Sequence, residues 1–177
     1  MFEYTPSEKT IVHVYTNREQ FYKIIGRKTE GTYDAKDNII KVFTPLQLSD
    51  PKVHSEYTFQ LVHEFVHAII QRINPEVGNI KWLDEGIAYY ASLQLEAEQY
   101  EKNHLMGIPT LEQLESPDFF DEFGNSAYVY SGLIIKFIVG KYGMESLNEI
   151  IRNPLELETI LNSTIDKLYL EWKANLE

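Results

Sequence analysis

Residues 59–70, FQLVHEFVHAII, carry the apolar spacing of a helix that must enter a core, yet His63, Glu64 and His67 sit in the middle of it. Buried polar groups cost stability unless they are partnered, so the chain must fold in a way that brings partners to these side chains. His63 and His67 are four residues apart. On a helix that offset is about 40° of rotation and about 6 Å of rise, so both imidazoles leave one stripe. Two ring nitrogens on that stripe can meet one ion about 2.0–2.1 Å away. Glu64 lies about 100° round the helix from His63, too far to ligate with it but able to reach a water held by the ion. This is the logic of H-E-x-x-H: two metal ligands and a general base on one helix. Phe59, Val62, Val66, Ile69 and Ile73 form the adjoining stripe, expected to anchor the helix in the core.

The chain has no cysteine, so a metal must be held by His, Asp or Glu. Catalytic zinc sites commonly take three protein ligands and leave a fourth position open. The next helical carboxylates lie in KWLDEGIAYYA (81–91), where Glu85 follows His67 after seventeen residues. That interval holds the end of one helix, a turn (NPEVGNI) and the start of an antiparallel helix. Gly86 inside a helix costs about 1 kcal/mol relative to Ala, and close approach to the histidine-bearing helix would explain it. Asp84 is a candidate either for holding a ligand histidine by its other ring nitrogen or for capping the helix.

The remaining pattern predicts an α+β chain. TIVHVYT (10–16) alternates as a strand. NREQFYKIIG (17–26) has a capping Asn17 and a terminal Gly26, the signature of a helix. GTYDAKDNIIKVFTP reads as a hairpin turning near Asp37-Asn38. Helices are expected near 54–73, 82–101, 126–142, 143–152 and 164–175. The length of 177 residues suits a single domain, with an N-terminal α/β part over about 1–101 and a helical part over about 102–177. The H-E-x-x-H helix is expected between the small sheet and the helical lobe. A net charge of −11 is the wrong sign for nucleic-acid or anionic-membrane partners. MFEYTPSEKT lacks a signal-peptide pattern and no apolar run reaches ~18 residues, so the expectation is a cytoplasmic protein.

H-E-F-V-H followed by W-L-D-E-G-I-A resembles the zinc signature of the gluzincin metallopeptidases, in the compact form of the peptidase MA-like or minigluzincin group. The metzincin extension would need Gly at 70 and His at 73, and both positions are Ile. The resemblance implies a zincin-type fold that binds one zinc ion through His63, His67 and Glu85. Glu64 would be the general base, and peptide bonds would be hydrolysed by a metal-activated water. SAYVYSGLIIKFIVGKYG (126–143) resembles the helix that follows the active site in this superfamily, whose tyrosine stabilises the oxyanion. An ungapped reading places that tyrosine at Tyr128, with Ser131 and Phe137 also in family-like positions; Tyr130 is the other candidate.

The superfamily layout implies that NIIKVFT is an edge strand beside the cleft, to which an extended peptide adds. The expected substrates are unstructured peptides or unfolded proteins. The loop 103–125, with its SPDFFDEFG run, is expected to form an acidic, aromatic wall that tolerates Lys or Arg near the scissile bond. No G-x-M-E-N motif is present, which weakens an exopeptidase reading. One alternative is a zincin-fold binding protein with weak or no activity. Another is a helical di-iron protein using Glu64-x-x-His67 and Glu101-x-x-His104. The opening strands, the break at Gly107-Ile108-Pro109 and the unused His63 all argue against the second.

Overall fold

The computed structural model describes residues 1–98 and 105–176. Helix α1 (Arg18–Ile25) opens with the Asn17 side chain accepting from the Gln20 N–H at 2.9 Å and closes on Gly26 at φ 80°, as its caps predict. It joins β1 (Ile11–Tyr15) to a hairpin of β2 (Gly31–Asp34) and β3 (Ile39–Phe43). Asn38 takes the left-handed turn position at φ 54°, and its side-chain amide donates to the Lys9 carbonyl at 3.0 Å.

The strand order is β1-β3-β2, with β3 parallel to β1 and antiparallel to β2. NIIKVFT is therefore the central strand, which corrects the expectation of an edge. It buries Ile40, Val42 and Phe43, whereas β1 is exposed over most of its length. The edge next to the helices is β2. The Phe43 N–H donates to the Glu30 carbonyl at 2.9 Å. From that pair the antiparallel alternation turns the backbone groups of Gly31 and Tyr33 outward, away from β3.

Helix α2 (Pro51–Ile73) starts three residues earlier than its periodicity suggests. Pro51 occupies the first turn, and the Asp50 carboxylate accepts from the N–H groups of Lys52 and Val53. Its burial departs from expectation. Val62 and Phe65 are 39% and 42% exposed, while His63, Glu64 and His67 are 6%, 4% and 6% exposed. The helix lies between the β2–β3 hairpin and α3, so the face carrying the histidines is the interior one. Val66, Ala68 and Ile70 supply its buried apolar contacts.

A 3-10 turn (Pro75–Asn79) with Asn74 as its cap leads into α3 (Lys81–Ala91). The single helix expected over 82–101 is interrupted. Ser92 bonds back to the Ala88 carbonyl, Leu93 takes φ 68°, and α4 (Gln94–Glu98) sets off in a new direction. What holds Leu93 there is tertiary: Leu95 packs with Tyr89 and Val129 in a buried cluster. Beyond residue 98 the expected helix lies outside the described residues.

The helical half comprises α5 (Leu111–Glu115), α6 (Phe119–Phe123), α7 (Asn125–Arg152), α8 (Leu157–Leu161) and α9 (Ile165–Leu176). Gly143 at φ 88° and ψ 165° divides α7, matching the two helices expected at 126–142 and 143–152. One hydrophobic cluster joins Ile70 of α2, Leu83 and Ile87 of α3, Ile135 and Ile138 of α7, and Trp172 of α9. No helix among the described residues is long and apolar enough to cross a membrane.

Gly86 marks the close approach of α3 to α7, not to α2. A Cβ there would lie 2.6 Å from the Ser131 carbonyl oxygen and 2.8 Å from its carbon. Alanine would add about 1 kcal/mol of helix propensity, but a backbone carbonyl cannot rotate away, and overpacking costs about 1–3 kcal/mol. Gly86→Ala is expected to destabilise the protein on balance, seen as a lower urea midpoint at unchanged m-value. A midpoint at or above wild type would show that α3 and α7 separate at no cost.

Candidate metal centre

α2 and α3 run antiparallel: Gln71 and His67 meet Asp84, whereas His63 meets Glu85 and Gln94. This order brings three ligand atoms to one point. The Nε2 atoms of His63 and His67 are 3.0 Å apart, and Glu85 Oε2 is 3.2 Å from the first and 3.5 Å from the second. A tetrahedral ion with ligands at about 2.0–2.1 Å would separate them by about 3.3–3.4 Å. The triangle has that size without rearrangement, and the buried His63-His67-Glu85 group can hold a metal ion. Its two imidazoles and one carboxylate suit zinc, iron, copper or nickel better than calcium or magnesium.

Each histidine is held by its other nitrogen. His67 Nδ1 lies 2.9 Å from Asp84 Oδ1, and Gln71 Nε2 donates to both Asp84 oxygens at 3.2 and 3.0 Å. Asp84 therefore touches a ligand histidine; the cap position of α3 is Ile80, without a side-chain bond. His63 Nδ1 lies 2.8 Å from Gln94 Oε1, which also accepts from Ser92 Oγ at 3.0 Å. An amide oxygen and a carboxylate only accept, so both rings donate from Nδ1, and Nε2 is the nitrogen that faces the metal position and gives up any proton when an ion binds.

The helix break at residues 92–93 is what turns Gln94 back toward the site, and a directed chain starts there. The Gln94 amide donates to Gln60 Oε1 at 3.4 Å, and the Gln60 amide donates to Glu64 Oε1 at 2.6 Å. A metal ligand and the proposed base are thus joined by two glutamines whose donor and acceptor ends all point one way. Periodicity gives Gln94 no signal, though the i, i+4 spacing of Gln60 and Glu64 does place them on one helix face. Gly31 is another residue the sequence reading missed. A Cβ on it would lie 2.6 Å from Glu64 Oε1, 2.8 Å from Glu64 Cγ and 3.0 Å from Gln60 Nε2, so any larger residue there would push the Glu64 and Gln60 side chains out of place. A glycine inside a strand is the signal for such an approach.

Burial pushes the Glu64 carboxyl above the usual range, and nearby Glu85 adds to this against the opposing pull of His63, His67 and the Gln60 bond. Burial works in the same direction on Glu85, but its bonds to His63 and His67 overcome it and hold Glu85 well below the carboxylate range. For His67, burial acts to lower the pKa, and Asp84 and Glu85 together raise it well above the ordinary value.

The tyrosines of α7 separate cleanly. They are two residues apart, about 200° on a helix, and so face opposite ways. Tyr130 packs against Trp172 and its hydroxyl donates to the Met106 carbonyl. Tyr128 lines the metal cleft and packs against Tyr89 and Phe120. Burial and the nearby Glu85 push its hydroxyl up to about 12, so it stays a protonated donor at any working pH. Ser131 is fully buried beneath Gly86, and Phe137 packs on the main core.

The cleft has a volume of about 440 Å³ and contains His63, Glu64, His67, Glu85 and Tyr128. The loop residues 27–30 and then Gly31, Thr32 and Tyr33 of β2 line one side; consecutive strand residues do so at an edge, whereas a strand face shows alternate ones. Of the described residues of the loop 103–125, Asn125 lines the cleft, and the expected acidic side chains do not, although Asp121 lies near enough to Tyr128 to act on it electrostatically; Phe119 and Phe123 are buried in the core, and Phe120 backs Tyr128. Glu101 and His104 lie outside the described residues. No protein-family model matches the chain, and searches of curated proteins and of solved structures found no match.

Gln94→Leu is expected to weaken divalent-metal affinity by about 10–100-fold, the usual cost of losing the group that orients a ligand histidine. Competition with a chromogenic chelator would measure it, and an unchanged affinity would remove Gln94 from the site. Because His67 is protonated below its raised pKa and must be neutral to ligate, apparent metal affinity should fall as pH falls through that value.

Proposed function

We propose that this chain is a zinc-dependent metallopeptidase of gluzincin type, of the compact peptidase MA-like form. The observation that carries this reading is the triangle of His63, His67 and Glu85 beside a buried Glu64 that is seated on a strand edge and takes no part in the triangle. Zinc, when bound, supplies Lewis acidity toward water and a carbonyl oxygen. Glu64, with its pKa raised by burial, accepts the proton of the attacking water and delivers it to the leaving amine. Gln60 fixes which Glu64 oxygen is engaged, leaving the other free for that transfer. The Tyr128 hydroxyl donates to the oxyanion. An extended peptide lies along the outward edge of β2, pairing with the N–H and C=O groups of Tyr33 and displacing the Thr29 hydroxyl that bonds to those of Gly31, so unstructured peptides or unfolded proteins are the substrates. A protein that only bound metal or peptide would have no use for a base buried beside the ligands, which favours an enzyme over an inactive binding protein.

Elemental analysis should find about one zinc per chain in the wild type and none in His67→Ala or Glu85→Ala; iron in place of zinc would sink the assignment. Glu64→Gln should keep the metal, since its amide oxygen can still accept from Gln60, yet hydrolyse nothing. Gly31→Ala should do the same by displacing Glu64. Peptide cleavage by Glu64→Gln at the wild-type rate would exclude Glu64 as the base. Tyr128→Phe should lower kcat by about 10²–10³ with little change in KM, the typical loss of one oxyanion donor.

A further inference from the structure

One loop at the mouth of the cleft runs against the charge of the chain. In a protein of net charge −11, the loop that leads from α1 into β2 presents Arg27 and Lys28, both exposed and both lining the metal cleft. Neither side chain has an ion pair or hydrogen bond to a described residue. The acidic residue beside them, Glu30, is already engaged by Arg18 at 3.1 Å and by the Tyr22 hydroxyl at 3.4 Å. Deeper in, Glu64, Asp84 and Glu85 are occupied by Gln60, Gln71 and the two histidines. Among the described residues, the charges that this loop leaves unpaired are therefore both positive. Arg27 is close enough to Tyr128 to act on it electrostatically, and Asp121 acts on it with the opposite sign.

The strand gives this charge a direction. Glu64 lies against Gly31, so the bond to be cleaved sits near the start of β2. Arg27 and Lys28 precede Gly31 by four and three residues, a reach of up to about 10–13 Å. A peptide that adds antiparallel to β2, the more stable pairing, runs its C-terminal end toward the beginning of that strand. Its residues beyond the cleaved bond then pass the two cations.

We propose that the cleft selects peptides with a carboxylate about one to three residues to the C-terminal side of the cleaved bond, held by Arg27 and Lys28. The inference rests on the peptidase reading of the metal centre. It replaces the tolerance for Lys and Arg that an acidic wall would have conferred. A free C-terminus and an acidic side chain offer the same chemistry.

The test uses internally quenched peptides with Glu, Gln or Lys at each of three positions after the cleaved bond, each made as free acid and as C-terminal amide. The zinc-loaded wild type should favour Glu over Gln by roughly tenfold in kcat/KM, the scale of two exposed charge pairs acting together. The gain should sit in KM, shrink with added salt, and reverse in favour of Lys in Arg27→Glu/Lys28→Glu. The acid and amide arms show whether terminus or side chain is the ligand. Equal rates for Glu and Gln, an unchanged preference in the variant, or an acidic preference on the N-terminal side of the bond would overturn the proposal.

Fluorescence anisotropy of the same peptides, labelled, on zinc-loaded Glu64→Gln protein separates the two readings. Carboxylate-dependent binding that is lost with the charge reversal, but without hydrolysis by the wild type, would uphold the selection and sink the peptidase. Hydrolysis without charge dependence would sink the selection alone. Neither hydrolysis nor charge-dependent binding would sink both.

Discussion

Five polar side chains on the inward part of α2, Gln60, His63, Glu64, His67 and Gln71, must be satisfied where water does not reach freely, and the surrounding structure is arranged around that demand. α3 answers it with Asp84 and Glu85, α4 with Gln94, and β2 with a glycine that lets the strand close over Glu64. An unpartnered polar group in such a place costs about 1–3 kcal/mol, so losing any one answer would rival a large share of a domain's net stability. The apolar residues of the same helix yield to this: Val62 and Phe65 face outward although hydrophobicity alone would bury them.

What could be read in the sequence was what local chemistry determines. The caps of α1, the turn after α2, the break at Gly143 and the spacing of His63, His67 and Glu85 follow from rules that act within a few turns of chain, and all four are present. What could not be read depends on which element lies next to which. The alternation of IIKVF identifies a strand but not its rank in a sheet, so β3 proved central and β2 took the edge. Gly86 announced a close approach, but the partner is α7 and not the histidine-bearing α2 that the sequence suggested. The aromatic run at 119–123 fits a core or a cleft wall equally well by composition, and Phe119 and Phe123 went to the core.

The glutamines show the limit most directly. Gln60 and Gln71 sit on the helix face of His63, Glu64 and His67, so their involvement was available from helical geometry alone. Gln94 was not, because its position depends on a left-handed leucine in the middle of a pattern that reads as continuous helix. A non-glycine residue held at φ 68° is maintained only when surrounding contacts over-determine it, and here those contacts are long-range. Tyr128 and Tyr130 illustrate the reverse: once α7 is a helix, their two-residue offset sends them to opposite sides, and only one can serve the cleft.

The buried polar row also ties the stability of the whole chain to the ion it can hold. The triangle of Nε2 and Oε2 atoms exists only when α2 and α3 are packed together, so the ion binds the folded state and not the separated helices. By mass action, free metal at a hundred times its Kd adds about 2.7 kcal/mol to folding stability, and each further tenfold adds about 1.4 kcal/mol. The α2–α3 pair also carries Ile70, Leu83 and Ile87 of the main core. Metal supply thereby becomes a determinant of how much folded protein persists, and not only of how much of it is loaded.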